Sequence, residues 1–185
     1  RHEELRISCA SSAPRRVRSA VHGVPIRDSY WVEPGKLLAG EYPGATDAER
    51  ARERVDLFES HGVTLFLDLT HPADGLEPYE RHLRRARRHA VVIPDLGVTT
   101  RPRYVEALDA IDAEIAAGGI PYVHCWGGIG RTGTVVGCWL VRHSLDAGDP
   151  IGRIAELRRR VLDSFMPSPQ TTAQREVVLG WKPGR

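Results

Sequence analysis

The sequence predicts a single α/β domain in which helices flank a central, mostly parallel sheet, and three observations carry that expectation. Short apolar runs of strand length, VTLFLDL (63–69), AVVIP (90–94) and IPYVHC (120–125), alternate with segments patterned as helices. That alternation builds parallel sheets covered on both faces. The last run passes straight into a glycine-rich loop, CWGGIGRTG, that opens another helix. A chain of 185 residues with 41% hydrophobic content is of a size for one core.

Residues 1–27 carry Ser, Pro and Arg without periodicity and read as a flexible extension, leaving 28–185 as the domain. SYWVEPGKLLAGEYPG then gives two short strands around a Pro-Gly turn. A helix is expected from Thr46, its hydroxyl as cap and Glu49 completing a capping box. Val55, Leu57 and Phe58 supply its core face, and Gly62 stops it. After the strand at 63–69 and the turn THPADGLEP, the arginine-rich stretch 78–89 reads as a helix, followed by the strand 90–94. Pro102 suits the first turn of a helix ending at Gly118-Gly119. Beyond the strand 120–125, helices are expected from Arg131 or Thr132 to Leu145, from Pro150 to Leu162, and from Thr171 to Leu179.

A formal net charge of +2 is too small to point to nucleic acid, and no such partner is expected. No apolar run nears the roughly 20 residues that span a bilayer. Arginines cluster in the first 18 residues and again at 81–88; a solvated face is the ordinary reading, an anionic docking patch the sharper one. No signal-type apolar stretch opens the chain, and Cys9, Cys125 and Cys138 cannot all pair, so a reducing, cytoplasmic setting is expected. The histidines show no spacing for a metal site, and no cofactor is expected.

The stretch VHCWGGIGRTGTV (123–135) concentrates the chemistry. It lies between a buried strand and a helix, where α/β sheets place their ligands. Gly127, Gly128, Gly130 and Gly133 allow the backbone to bend and turn successive amides inward, forming a nest for an anion at the positive end of the helix. Phosphate contacts are therefore assigned to Trp126, Gly127, Gly128, Ile129 and Gly130. Arg131 adds a planar fork that holds two phosphate oxygens. Cys125 sits at the base of the nest, where helix amides and a nearby cation favour a thiolate. Thr132 is placed to hydrogen-bond the sulfur and help it leave. A nucleophile and an oxyanion cradle in one loop point to covalent phosphoryl transfer.

HCWGGIGRTG fits the pattern H-C-x5-R-[ST] and resembles the cysteine-based protein tyrosine phosphatases, particularly their compact dual-specificity branch. The likeness covers roughly 28–185, most strongly 90–140. It implies a phosphatase fold with its phosphate-binding loop between the last strand and a helix, and a protein tyrosine or dual-specificity phosphatase activity without metal. The implied partner is a phosphorylated protein or a small phosphomonoester. A phosphate-recognising binding module, or a lipid or nucleotide phosphatase, stays open as an alternative.

The leaving oxygen needs a proton from a second loop at the same end of the sheet. Asp95, just past AVVIP, is the candidate, and the resemblance agrees, since such enzymes place their acid about thirty residues before the cysteine. Asp68 also ends a strand, but the resemblance gives it a structural place. MPSPQTTAQREVV is similar to the family's water-orienting segment, which makes Gln170 the first and Gln174 the second candidate for that role. The resemblance implies that His124 holds the loop and tunes the thiolate without moving the substrate's proton. Cys138, in VVGCWLV, is expected in the core. No tyrosine-bearing recognition loop is found and the loop's variable positions carry no lysine, which speaks against strict phosphotyrosine specificity and against a highly charged lipid headgroup.

Overall fold

The structure, a computed structural model, describes residues 23–146 and 148–184. Of the extension expected at 1–27, residues 1–22, with Cys9 and the first arginine cluster, lie outside the described residues. Residues 23–27 are tied to the domain: the Trp31 indole N–H donates to the Gly23 carbonyl, and Ile26 packs against buried aromatics.

Five strands form one sheet in the order β1-β2-β5-β3-β4. β1 (Ser29–Glu33) and β2 (Leu37–Gly40) make the expected antiparallel hairpin around Pro34-Gly35, and Gly35 takes the left-handed φ of 75° that the turn requires. β2, β5 (Ile120–His124), β3 (Val63–Asp68) and β4 (Arg87–Ala90) run parallel. α1 (Ala48–Ser60) covers one face, where Val55 and Phe58 meet Phe66, Tyr79 and Tyr122. α2 (Arg101–Ala116), α3 (Gly130–Arg142), α4 (Pro150–Arg158) and α5 (Thr172–Leu179) cover the other. α3 lies against the sheet and is buried along almost its whole length, Cys138 included. Both sides of the central strands are therefore dry, as their unbroken apolar runs require.

Three local expectations are corrected. The cap of α1 is Asp47, whose carboxylate accepts from the Arg50 amide at 2.8 Å, and not Thr46; Leu57 faces outward. α4 ends at Arg158, short of Leu162, where the chain turns through 159–166. The largest difference concerns 78–89. A short 3-10 turn at Glu80–His82 is followed by extended chain and β4, and the run 91–93 continues extended, with Val91 donating to Asp68 and Ile93 to Leu69. The cause is visible in Glu59. Its Oε1 accepts the backbone amides of Arg84, Arg85 and Ala86 at 3.0, 2.9 and 2.9 Å, donors a helix would have used internally. The arginine heads are drawn to acids as well: Arg84 to Asp56, Arg87 to Glu114, Arg88 to Asp68 and Glu80. The cluster at 81–88 is thus spent largely on the domain's own carboxylates.

Burial alone would raise the Glu59 carboxyl, but the three amides outweigh it and hold it below its ordinary value. A group whose folded value is depressed stabilises above its unfolded value, about 4.3 for Glu, and loses that contribution as pH falls through the folded value. Glu59→Ala is expected to cost about 2 kcal/mol in urea unfolding at pH 7. The gap to the unsubstituted protein should shrink when the titration is repeated below pH ~4.

Candidate active site

At the carboxyl end of β5 the chain leaves the sheet and winds through Cys125–Ile129 into α3. Two carbonyls of this loop are held by neighbouring groups. Trp126 O accepts from the Tyr42 amide at 2.8 Å, and Ile129 O from the Gly133 amide at 3.1 Å and the Ser168 hydroxyl at 2.7 Å. The amides of 126–130 donate to no described residue. The loop thus spends the Trp126 and Ile129 carbonyls on the scaffold and leaves its N–H groups unspent. Two glycines are dictated by space. Gly128 has φ 68°, and a Cβ there would strike the Gly40 carbonyl and the Glu41 amide. A Cβ on Gly130 would lie 2.6 Å from Gln170 Oε1 and 2.9 Å from Gln174 Oε1.

Cys125 is 3% exposed, at the floor of a cavity of about 570 Å³ that Arg131, Asp95, Trp126, Ile129 and Gln170 also line. Trp126, 60% exposed, stands at the rim, whereas Ile129 is buried. The Arg131 guanidinium is 2% exposed, and its neighbours fix its orientation. Nη1 donates to Asp74 Oδ2 at 2.6 Å and to the Ile93 carbonyl at 3.2 Å; Nη2 lies 3.0 Å from Asp95 Oδ1. Asp95 therefore reaches the loop from across the cavity, as its position after AVVIP implied. It sits in a tight turn closed by Gly97 N donating to Pro94 O, and Leu96 beside it has φ 55°. A leucine in the left-handed region is strained. The turn is held from the far side by Gln174 Nε2, which donates to Gly97 O at 3.0 Å.

The two glutamines separate clearly. Gln170 opens into the cavity. Gln174 is fully buried, its Oε1 accepting from the amides of Gln170 and Thr171 while its amide nitrogen holds Gly97. Its placement at the third position of α5 makes it the partner of Thr171 in a capping box, so its side chain is committed and does not face the cavity. A second correction concerns Thr132. Its hydroxyl, enclosed in the first turn of α3, has no hydrogen-bond partner among the described residues, so the expected bond to sulfur is not made in this structure.

His124 is sealed behind the loop. Nε2 meets the Tyr79 hydroxyl at 2.7 Å, and Nδ1 faces the Cys125 carbonyl at 3.4 Å and Asp68 Oδ1 at 3.9 Å. Burial pushes the ring below its ordinary value, against the pull of Asp68, so it is neutral near pH 7. Tyr79 keeps its proton because burial raises its hydroxyl. Tyr79 then donates to Nε2, which leaves the histidine proton on Nδ1, aimed at the Cys125 carbonyl. Asp68 braces this arrangement. Burial opposes its ionisation, but the ring, two hydrogen bonds from Thr70 and the Arg88 guanidinium prevail and hold it below the usual carboxylate range. It is a bracing residue and does not line the cavity.

Asp74 was not singled out from the sequence. It lies in the short 3-10 segment Pro72–Asp74, where its second role is to accept the His71 amide in a capping box. The turn composition of THPADGLEP marks a loop but not the guanidinium it meets 57 residues later. Among the described residues no three His, Cys, Asp or Glu side chains converge as metal ligands, and no helix is long and apolar enough to cross a membrane.

Comparison with known proteins follows the same lines. The sequence profile of a family described as "Swiss Army Knife protein, DSP-PTPase phosphatase domain" matches residues 26–176. The phosphatidylglycerophosphate phosphatase PTPMT2 of Arabidopsis thaliana is 30% identical over 130 residues, 68% of this chain and 54% of that protein. The chain thus spans about half the length of that curated relative. Among solved structures, Tk-PTP in its active form superposes with a TM-score of 0.62 at 19% identity, over 82% of this chain and 93% of that one. PTPMT1 in complex with PI(5)P gives a TM-score of 0.62 at 17% identity, over 82% and 92%. At such identities the structural likeness speaks for the fold.

Removing Asp74 leaves a buried guanidinium short of one partner. Asp74→Ala is expected to lower stability by about 3 kcal/mol, at the lower end for breaking a buried pair because Asp95 still faces Nη2. Urea midpoints of the two proteins at pH 7 check this. An unchanged midpoint would mean that solvent reaches Arg131.

Proposed function

Because the chain belongs to the dual-specificity-type phosphatase domain family of the cysteine-based protein tyrosine phosphatases, we propose that it hydrolyses phosphomonoesters through a cysteinyl-phosphate intermediate. The observation that carries the reading is one cavity floored by Cys125, with the unspent amides of 126–130 around it, Arg131 beside it and Asp95 reaching in from the opposite loop.

The phosphate dianion settles into the amide nest and takes the place of Asp95 on Arg131 Nη2; the freed carboxylate, now beside the dianion, takes up a proton from solvent and turns towards the leaving oxygen. Asp74 keeps its hold on Nη1, so the fork does not swing when its other nitrogen changes partners. Cys125 Sγ attacks phosphorus; an S–P bond forms as the P–O bond to the alcohol or phenol breaks, and Asp95 gives that oxygen its proton. In the second step a water oriented by Gln170 attacks the same phosphorus, and Asp95 takes its proton. Sulfur departs as thiolate, releasing inorganic phosphate. His124 donates from Nδ1 to the Cys125 carbonyl and holds the loop's first residue in place, taking no part in proton transfer to substrate.

A phosphorylated protein, with phosphotyrosine or phosphoserine and phosphothreonine as the reacting residue, is the substrate this reading favours. The dual-specificity description of the matching family and a loop without lysine support it. A lipid phosphomonoester is the second reading, supported by the name of the Arabidopsis relative.

Hydrolysis of p-nitrophenyl phosphate in the presence of a chelator tests the chemistry. Turnover that vanadate blocks and that Cys125→Ser abolishes is expected; activity in the serine variant near the original level would overturn the mechanism. Asp95→Ala should lower kcat by roughly 10²–10³-fold with little change in KM, more for poor leaving groups than for p-nitrophenol. Equal kcat across alkyl and aryl esters would remove Asp95 from the acid role.

A further inference from the structure

The charges around the cavity say what kind of phosphoester it takes, an inference that rests on the phosphatase reading above. Two guanidinium groups line the cavity, Arg131 and Arg54. Arg131 is the one the bound phosphate engages, in place of Asp95, whereas the Arg54 charge is already paired with Glu41. Arg54 gives Nη2 to Glu41 Oε1 at 2.6 Å and to the Tyr42 carbonyl at 2.8 Å, and Nε to the Pro43 carbonyl at 3.2 Å, so its charge is offset by Glu41. Two further carboxylates line the same cavity, Glu77 and Asp163, from opposite parts of the chain. Both are exposed, and neither has an ion-pair partner among the described residues. They are held on ordered backbone: the Tyr42 hydroxyl donates to the Glu77 carbonyl at 2.8 Å, and Arg158 Nη2 to the Asp163 carbonyl at 3.3 Å.

The cavity thus has one cation at its floor and two unpaired anions higher up. A second anionic group on the substrate, whether a phosphodiester, a further phosphate or an acidic side chain, would meet Glu77 and Asp163 with no cation to offset them. A positive group would meet them favourably, and the exposed indole of Trp126 on the same rim offers a face on which a guanidinium or ammonium can rest. We infer that the substrate is a phosphopeptide with lysine or arginine beside the phosphorylated residue, selected by Glu77, Asp163 and Trp126.

The test compares kcat/KM on two phosphotyrosyl peptides identical but for arginines or glutamates flanking the phosphoresidue, each normalised to p-nitrophenyl phosphate. The arginine peptide is expected to be better by about tenfold at low salt, the ratio falling towards one at high salt because the rim charges are exposed. The double variant Glu77→Lys, Asp163→Lys should reverse the order, and Trp126→Ala should narrow the ratio. Equal rates on the two peptides, no cleavage of either, or faster hydrolysis of phosphatidylglycerophosphate in vesicles would overturn the inference while turnover of p-nitrophenyl phosphate left the chemistry standing. No turnover of p-nitrophenyl phosphate would overturn the phosphatase reading, and this inference with it.

Discussion

A guanidinium that water cannot reach is costly unless its charge and its N–H groups are met, and the Arg131 site is organised around that requirement. Asp74 comes from the turn after β3, Asp95 from the turn after β4, and the Ile93 carbonyl from the extended chain between. Two segments distant in sequence, 72–74 and 93–95, are thereby fixed to the first turn of one helix. The arrangement also grades their hold. Asp74 is nearly as buried as the arginine, while the Asp95 side chain is 47% exposed. The partner that stays is the dry one, and the partner that can leave is the one with water to go to.

The loop beside it obeys a complementary rule. Buried backbone groups must find partners, yet an anion site needs amides that have none. The conflict is met by pairing two of the carbonyls and leaving the amides unspent. Tyr42 takes the Trp126 carbonyl, and Ser168 and Gly133 take that of Ile129, which helps hold the backbone in its shape. Gln174 extends this scaffolding to the opposite loop. One side chain caps α5, bonds the backbone beside Gln170 and grips Gly97, so α5, the Gln170 turn and the Asp95 turn are parts of one rigid frame. Leu96 is strained within that frame, which requires surrounding structure to hold it.

What could be read in advance was what depends on local pattern. The alternation of dry strands with helices is a repeated signal, and Cys125 to Arg131 lie on one continuous turn, so the spacing of residues already states their geometry. Asp95 was legible because its strand ends at the same edge of the sheet. Asp74 was not, because its meaning lies in a contact across 57 positions, and an aspartate beside a glycine in a turn is commonplace. The stretch 78–89 misled for a related reason. Its arginines have good helix propensity, but a glutamate 25 or more residues earlier collects their amides, and tertiary structure overrides local preference. Gln170 and Gln174 look equivalent as letters four apart; only the capping box, one spending its oxygen on backbone, tells them apart.

β4 is one of the sheet's two edge strands, paired on one side only. A parallel sheet that ends in open backbone offers a template on which any extended chain can add. Here the strand is four residues long and carries two arginines whose heads are pulled across to Glu114 and to Asp68 and Glu80. A newcomer seeking to extend the ladder would have to pull apart those ion pairs and desolvate the arginines it met. The basic run is therefore a gatekeeper at the β4 edge: it keeps that margin solvated and disfavours the addition of a strand there.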